Sequence, residues 1–227
     1  MANVRTPNQK RSFRRHAQEI VTGGEDKRVV ESMPASASGT AERLAEAARA
    51  AGKRGPPPVE KWNPEFCGDI DMRIAKDGSW FYMGTPIGRP ALVKLFSTVL
   101  RKDPERYVLV TPVERVGIAV EDVPFLAVAM RVEGEGERRV LHFTTNLDDE
   151  TFAGPEHPMR FQRDPNGGCR PYVRVRGGLE ARLTRALYYD LIALAEEEMI
   201  DGVPMLVVRS GGVSFPIAPA AEMESEG

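Results

Sequence analysis

The sequence has few residues of the kinds that build disulfide frameworks, metal centres and membrane spans. Its 227 residues include only two cysteines, Cys67 and Cys169, and three histidines. Two cysteines indicate reduced thiols rather than a disulfide framework, and no histidine is spaced with a second histidine or a cysteine as zinc requires. No apolar run approaches the roughly 20 residues that span a bilayer, and no signal-peptide pattern is present. We therefore expect a cytoplasmic protein with no metal and no other cofactor.

The chain also lacks a strong excess of charge of one sign. Its formal net charge of −2 gives no general attraction to nucleic acid or to a membrane surface. Residues 1–60 carry an excess of four positive charges, including a basic run at Lys10, Arg11, Arg14 and Arg15. That run could touch nucleic acid or acidic lipid, but it is short and has no interleaved aromatic residues. We favour a solvated tail and expect neither nucleic acid nor a membrane as partner.

The two ends of the chain have the composition of extensions. Residues 1–58 are rich in basic residues, alanine and proline, and they predict a disordered extension. A short helix is plausible over 41–51, but Leu44 is its only large apolar residue, so we expect it to bury little. Residues 220–227 predict a disordered acidic tail.

The first predicted domain, residues 59–122, is organised around a hairpin and a helix. The Asp77-Gly78 dipeptide favours a tight turn, and strand patterns on both sides of it predict a hairpin over 69–83. Pro90 suits the first position of a helix, and apolar residues recur at helical spacing over about 90–101. Strands follow at 107–110 and 113–120.

The second predicted domain, residues 123–219, repeats that order after a pair of strands at 125–132 and 140–145. A hairpin over 171–183 is followed by a helix that starts near Thr184 and ends at Gly202. A further hairpin over 203–217 completes the unit. The sequence therefore predicts an α+β fold with duplicated hairpin–helix–hairpin units and antiparallel sheets.

The sequence contains no nucleophile elbow, phosphate-binding loop or dinucleotide fingerprint. The start of the predicted helix, at Gly88-Arg89, offers free backbone N–H groups and a fixed positive charge, which favour an anion. A glycine-rich turn with a solvated arginine is the simpler interpretation. Arg174 and Arg176 share one strand face, and Arg182 falls on the partner strand. With Arg73 and Arg89, these arginines could line an electropositive cleft; equally, they could pair with Glu114, Glu180 and Asp71 on an ordinary polar face.

From residue 57 onward the chain resembles a proteobacterial family known as domain of unknown function 1285, DUF1285. The resemblance covers roughly residues 57–217. It rests on several motifs in the same order: 62–74 (WNPEFCGDIDMRI), 77–80 (DGSW), 84–89 (GTPIGR), 107–114 (YVLVTPVE), 144–146 (TTN), 171–176 (PYVRVR) and 179–182 (LEAR).

The resemblance implies a duplicated α+β core whose C-terminal part is pleckstrin-homology-like. It also implies a cleft between the domains that takes a nucleotide-like ligand, with a role in signalling. Our leading hypothesis is accordingly a non-enzymatic module that binds a small anionic or nucleotide-like ligand between its domains and acts on a protein partner. Six residues are its predicted ligand-binding residues: Arg73, Arg89, Glu114, Asn146, Arg174 and Arg182.

Two alternatives remain open. One is a hydrolase that uses Glu114 or His157 as its base, although the sequence predicts no catalytic residues by motif. The other is a protein-interaction module that presents its sheet edges or the Tyr188/Tyr189 helix face to a partner.

Overall fold

The computed structural model describes residues 35–52, 57–164 and 168–223. These residues form an α+β structure that is mostly sheet, with few helices. The α-helices are α1 (Ala35–Gly52), α2 (Pro90–Thr98), α3 (Arg185–Ile192) and α4 (Ala220–Met223). Across the described residues, no helix combines the length and the hydrophobicity that crossing a membrane would take.

The first sheet contains six strands in the order β3-β2-β1-β6-β5-β4. The strands are β1 (Phe66–Ile74), β2 (Trp80–Tyr82), β3 (Thr85–Pro86), β4 (Leu100–Asp103), β5 (Arg106–Val110) and β6 (Arg115–Val120). The predicted hairpin is confirmed, since β1 pairs antiparallel with β2. The sheet is not purely antiparallel as predicted, because β1 and β6 run parallel.

Local chemistry explains the first hairpin and the helix that follows it. Asp77 Oδ1 accepts a hydrogen bond from the Ser79 backbone N–H at 3.0 Å, and Gly78 has a φ of +80°, which suits glycine. Trp80 is buried and stacks on Phe96 of α2, with ring centroids 6.4 Å apart. The helix ends at Thr98, before the predicted 101, because β4 begins at Leu100 and pairs with β5.

The remaining strands form two further sheets. A six-stranded sheet has the order β10-β11-β12-β7-β8-β9, and a three-stranded sheet has the order β13-β14-β15. Their strands are β7 (Phe125–Glu133), β8 (Val140–Thr145), β9 (Glu150–Phe152), β10 (Met159–Arg163), β11 (Cys169–Arg176), β12 (Leu179–Leu183), β13 (Glu196–Ile200), β14 (Val203–Ser210) and β15 (Val213–Pro219).

The predicted repeat is present as an order of elements but not as one pattern of strand pairing. A hairpin and a helix are followed by three strands in both halves, β1-β2-α2-β4-β5-β6 and β11-β12-α3-β13-β14-β15. In the first half, all five of these strands join one sheet. In the second, β12 pairs with β7 in parallel, and β13, β14 and β15 form a sheet of their own. The two halves therefore share their sequence of elements and differ in topology.

Helix α3 is shorter than predicted. It ends at Ile192, and the residues expected to continue it to 202 instead form β13. Two glutamates hold that strand in place. Glu198 Oε2 lies 2.9 Å from Arg209 Nη2 on β14, and Glu196 Oε1 lies 3.2 Å from Arg139 Nη2. Ladder pairing and these ion pairs override the helical spacing of the apolar residues.

The prediction that the first helix buries little is wrong. Helix α1 spans 18 residues and packs against α2, with Leu44 and three alanines buried: Ala41, Ala45 and Ala48. Residues 35–52 therefore form a helix that packs against the first domain. The basic run near residues 10–15 lies outside the described residues.

The first residues of the predicted acidic tail form a short helix. Residues 220–223 form α4, in which Glu222 pairs with Arg163 of β10. These four residues of the predicted tail are helical, and 224–227 lie outside the described residues.

Candidate ligand-binding cavity

Three of the six predicted site residues contact the first hairpin turn or the Glu121-Asp122 link that follows β6. Arg73 pairs with Glu121 and lies over the Phe81 ring, 4.2 Å from its centroid. Arg182 Nη1 donates to Asp122 Oδ2 at 2.9 Å, and its Nη2 donates to the Lys76 carbonyl oxygen at 2.7 Å. These two arginines are therefore charge-paired.

Asn146 belongs to the same neighbourhood. Its Oδ1 accepts a hydrogen bond from the Leu126 backbone N–H at 3.0 Å. A Cβ atom added to Gly78 would lie 2.8 Å from the Asn146 side-chain nitrogen. The structure thus brings Arg73, Asn146 and Arg182 around the turn of the first hairpin.

The other predicted residues occupy different settings. Arg89 is exposed at the start of α2. Glu114 is mostly buried, and its Oε2 lies 3.5 Å from Arg43 Nη2 of α1. Arg174 has an exposed side chain, and its carbonyl oxygen lies 3.2 Å from His157 Nδ1. Each proposed base, Glu114 or His157, therefore has a partner that is not a nucleophile.

A concavity lies elsewhere, between the C-terminal end of α1, residues 57–60, α2, and the turns that follow β8 and β11. Its volume is about 790 Å³, within the range of small-molecule sites. The walls include five apolar or small residues, Ala48, Pro57, Pro58, Val59 and Leu95. The charged residues that line it are Arg49, Glu60, Asp149 and Arg176.

Arg176, at the end of β11, is the most constrained charge in this cavity. Its Nη2 donates to the Ser97 carbonyl oxygen at 2.7 Å, and its Nη1 reaches the Leu100 carbonyl oxygen at 3.5 Å. The guanidinium carbon lies 5.4 Å from the centroid of the Phe125 ring. Burial lowers the pKa of Arg176, while Asp149 and Glu60 act in the opposite direction. A half-buried arginine held mainly by backbone oxygens retains N–H donors for a further anion.

Asp149 faces this arginine without completing a hydrogen bond. Its Oδ2 lies 3.8 Å from Arg176 Nη2. The same oxygen is buried and has no hydrogen-bond partner among the described residues. Buried carboxylate oxygens normally have partners, so an unpaired one in a cavity wall suggests that a bound molecule supplies the donor.

Gly177 brings the β11–β12 turn against Glu60. This glycine has a φ of +47°, and a Cβ atom added to it would overlap Glu60 Oε1. Glu60 itself is exposed. The carboxylate therefore lies at the mouth of the cavity, in contact with the turn that carries Arg176.

A second concavity of about 670 Å³ lies beside α3 and includes Arg182. Its charged groups already have partners. Arg170 Nη2 lies 2.7 Å from Asp164 Oδ2, Arg182 binds Asp122, and Arg185 Nη2 donates to the Tyr189 hydroxyl at 3.0 Å. The first cavity is the stronger candidate because it holds an unpaired buried acceptor.

Sequence patterns identified little of this site. Arg176 is recognisable as a neighbour of Arg174 on one strand face, but Arg49, Glu60 and Asp149 carry no motif. The Gly177-Gly178 pair predicts only a turn. Within the described ranges, no group of three or more histidine, cysteine, aspartate and glutamate side chains is placed to hold a metal ion.

Family comparison explains which parts of the chain form the cavity. The model "Domain of unknown function (DUF1285), N-terminal domain" matches residues 57–123, and "Protein of unknown function (DUF1285), C-terminal domain" matches residues 124–217. The chain belongs to the DUF1285 family. The cavity lies between the two DUF1285 domains, since Glu60 and Leu95 belong to the first and Asp149 and Arg176 to the second. Helix α1 precedes both.

The chain is also similar to two solved structures. The crystal structure of a DUF1285 family protein from Silicibacter pomeroyi DSS-3 is 49% identical, covers 80% of this chain and 97% of its own, and has a TM-score of 0.73. A DUF1285 family protein from Shewanella baltica OS155 is 28% identical over 55% of this chain and 91% of its own, with a TM-score of 0.44. No curated protein matches the chain.

Proposed function

We propose that this protein is a binding module for a small, nucleotide-like molecule, and that the ligand occupies the cavity between its two DUF1285 domains. The observation that carries the proposal is the buried Asp149 Oδ2, which has no hydrogen-bond partner among the described residues and lies 3.8 Å from Arg176. A buried acceptor without a hydrogen-bond partner beside a half-buried arginine, in a cavity of about 790 Å³, is a pattern expected of a ligand site.

The charges of the cavity favour a ligand that carries both an anionic group and hydrogen-bond donors. Arg176 provides N–H donors to an anion, and Arg49 lies on the cavity wall that α1 supplies. Asp149 provides acceptors for N–H or O–H groups. Val59 and Leu95 supply apolar contact area. A nucleotide matches this set, since its phosphate is anionic and its base and sugar carry donors.

Occupancy of the cavity is linked to the contact between the domains. Arg176, in the C-terminal domain, donates to the carbonyl oxygens of Ser97 and Leu100 in the N-terminal one. A ligand that draws on the same guanidinium changes those bonds and so the relation between the domains. We extend the proposal to a signalling role in which this change alters a protein partner. A pleckstrin-homology-like character of the C-terminal domain, which has two sheets and the short helix α3, is part of the same proposal.

A thermal-shift screen against nucleotides, followed by calorimetry, tests the proposal. A ligand at a hundred times its dissociation constant stabilises by about 2.7 kcal/mol, enough to raise the midpoint by several degrees. We expect Asp149→Asn and Arg176→Lys to weaken binding about tenfold or more. Glu150→Gln and Arg131→Lys are matched controls at exposed positions and should bind as the native protein does. If the two cavity variants keep full affinity for the screened ligand, the assigned site is wrong.

A further inference from the structure

Glu60 is placed differently from the other carboxylate of the cavity. It belongs to the short 3-10 helix Val59–Lys61, ahead of the first sheet. Its side chain extends to the β11–β12 turn, where Oε1 lies so close to Gly177 that it would clash with a Cβ atom there. Gly177 and Gly178 have φ values of +47° and +76°. The glutamate of one domain thus rests on a glycine turn of the other.

The backbone that carries Glu60 is fixed, whereas its side chain is not. Val59 is buried, and Arg101 Nη1 donates to the carbonyl oxygens of Val59 and Trp62 at 2.9 and 2.6 Å. Those bonds hold the segment on both sides of residue 60. The Glu60 side chain is exposed, so its carboxylate can rotate away from the turn while the backbone stays in place.

Arg176 is the last residue of the strand directly before the turn that Glu60 contacts, and it lines the same cavity as this carboxylate. Two of its described hydrogen bonds go to backbone oxygens, and Asp149 approaches only to 3.8 Å. Glu60 acts on the same guanidinium through space. An anion that enters through the mouth of the cavity must therefore approach Arg176 past a negative charge, which repels it.

We infer that Glu60 is a built-in competitor, whose carboxylate occupies the approach of an anionic ligand to Arg176 and must move aside when that ligand binds. The inference rests on the proposed function, and it predicts in addition whether removing the Glu60 charge strengthens or weakens ligand binding. If Glu60 instead bound the ligand through hydrogen bonds, removing its charge would weaken binding. If Glu60 is a competitor, removing its charge should strengthen ligand binding.

Calorimetric titration with inorganic pyrophosphate, in buffer free of divalent metals, measures whether the affinity rises or falls. Glu60→Gln keeps the size and shape of the side chain and removes the charge. We expect it to tighten pyrophosphate binding about two- to fivefold, the size typical of one partly exposed charge pair, and we expect the gain to shrink as salt is raised. Glu65→Gln is the matched control, because Glu65 is exposed and is not among the residues that line the cavity.

The outcomes separate this inference from the function on which it rests. If the native protein binds pyrophosphate and Glu60→Gln binds equally or more weakly, the competitor role is overturned and the ligand site stands. If Glu65→Gln gains as much as Glu60→Gln, the effect is one of net charge, and the local inference is overturned. If neither the native protein nor Glu60→Gln binds pyrophosphate at millimolar concentration, the anion site itself is overturned.

Discussion

Arg182 Nη1 lies 2.9 Å from Asp122 Oδ2, which fastens a strand of the C-terminal DUF1285 domain to the end of the N-terminal one. The same guanidinium donates to the Lys76 carbonyl oxygen in the first hairpin turn. Asp122 also accepts a hydrogen bond from the Tyr172 hydroxyl at 3.0 Å. One carboxylate thus connects β11 and β12 to the link between the domains.

Replacing Arg182 tests whether this connection stabilises the fold. Arg182→Gln removes a charge-assisted bond and leaves the Asp122 carboxylate, which is only 14% exposed, short of a partner. We expect the free energy of unfolding to fall by about 1–3 kcal/mol, measured by urea denaturation. Arg131→Gln is the control, since the Arg131–Glu133 pair is about two-thirds exposed on both sides and should change stability by less than about 1 kcal/mol. Equal effects in the two variants would contradict a structural role for the Arg182 bonds.

Ionisation of Tyr172 should make the free energy of unfolding depend on pH in the alkaline range. Burial, and then the neighbouring Asp122, raise the pKa of the Tyr172 phenol above its ordinary value of 10.0. The unfolded tyrosine therefore ionises first, so the contribution of the neutral phenol is full below about pH 10 and is lost as pH rises through the folded pKa.

We expect Tyr172→Phe to lower stability at pH 7 through loss of the bond to Asp122, by about 0.5–1.5 kcal/mol. The deficit should narrow above pH 10. Urea denaturation across pH 7–11 measures both effects. Tyr107→Phe removes a hydroxyl that contacts Lys102 instead, and it serves as the control. A deficit that stays constant up to pH 11 would argue against the stated pKa direction.

The sequence predicted the elements that depend on local signals. Asp77 and Gly78 specify their turn through a side-chain bond and a positive φ, and the apolar spacing of α2 follows from burial of a single face. Elements decided by distant partners were missed or misassigned. Strand β13 is one example, because its glutamates are held by Arg139 and Arg209 from elsewhere in the chain.

The candidate site was the least predictable part. Asp149 lies in the turn between β8 and β9, and the packing of β9 against β11, where the Thr151 hydroxyl donates to the Arg174 carbonyl oxygen, gives it Arg176 as a neighbour. The parallel pairings of β1 with β6 and of β12 with β7 set which turns face each other. The spacing of residues along the sequence does not predict which distant strands pair.

Gly177 provides a separate test of the freedom of Glu60. Alanine at Gly177 must adopt a φ of +47° and displace Glu60 Oε1. Gly212 is a matched position, with a φ of +75° and no atom within 4 Å of an added Cβ. Because the Glu60 side chain can rotate away, we expect Gly177→Ala and Gly212→Ala to cost a similar amount, about 1–2 kcal/mol each, measured by thermal or urea unfolding. A much larger cost at Gly177, relieved by a second change of Glu60→Ala, would show that the carboxylate is rigidly held.

Leu44 tests whether α1 belongs to the cooperative unit. It is fully buried, whereas the other buried side chains that the structure describes in this helix are three alanines, so most of the described apolar area that docks α1 comes from one residue. If α1 unfolds together with the two domains, Leu44→Ala should lower the free energy of unfolding by about 2–4 kcal/mol through lost burial and the cavity it leaves. Glu46→Ala, on the exposed side of the same helix, should stay within about 0.5 kcal/mol. Urea denaturation monitored by tryptophan fluorescence distinguishes the two cases, since Trp80 lies in β2 and stacks on Phe96 of α2. An unchanged midpoint in Leu44→Ala would mean that α1 detaches before the domains unfold, leaving the cavity without the wall that carries Arg49.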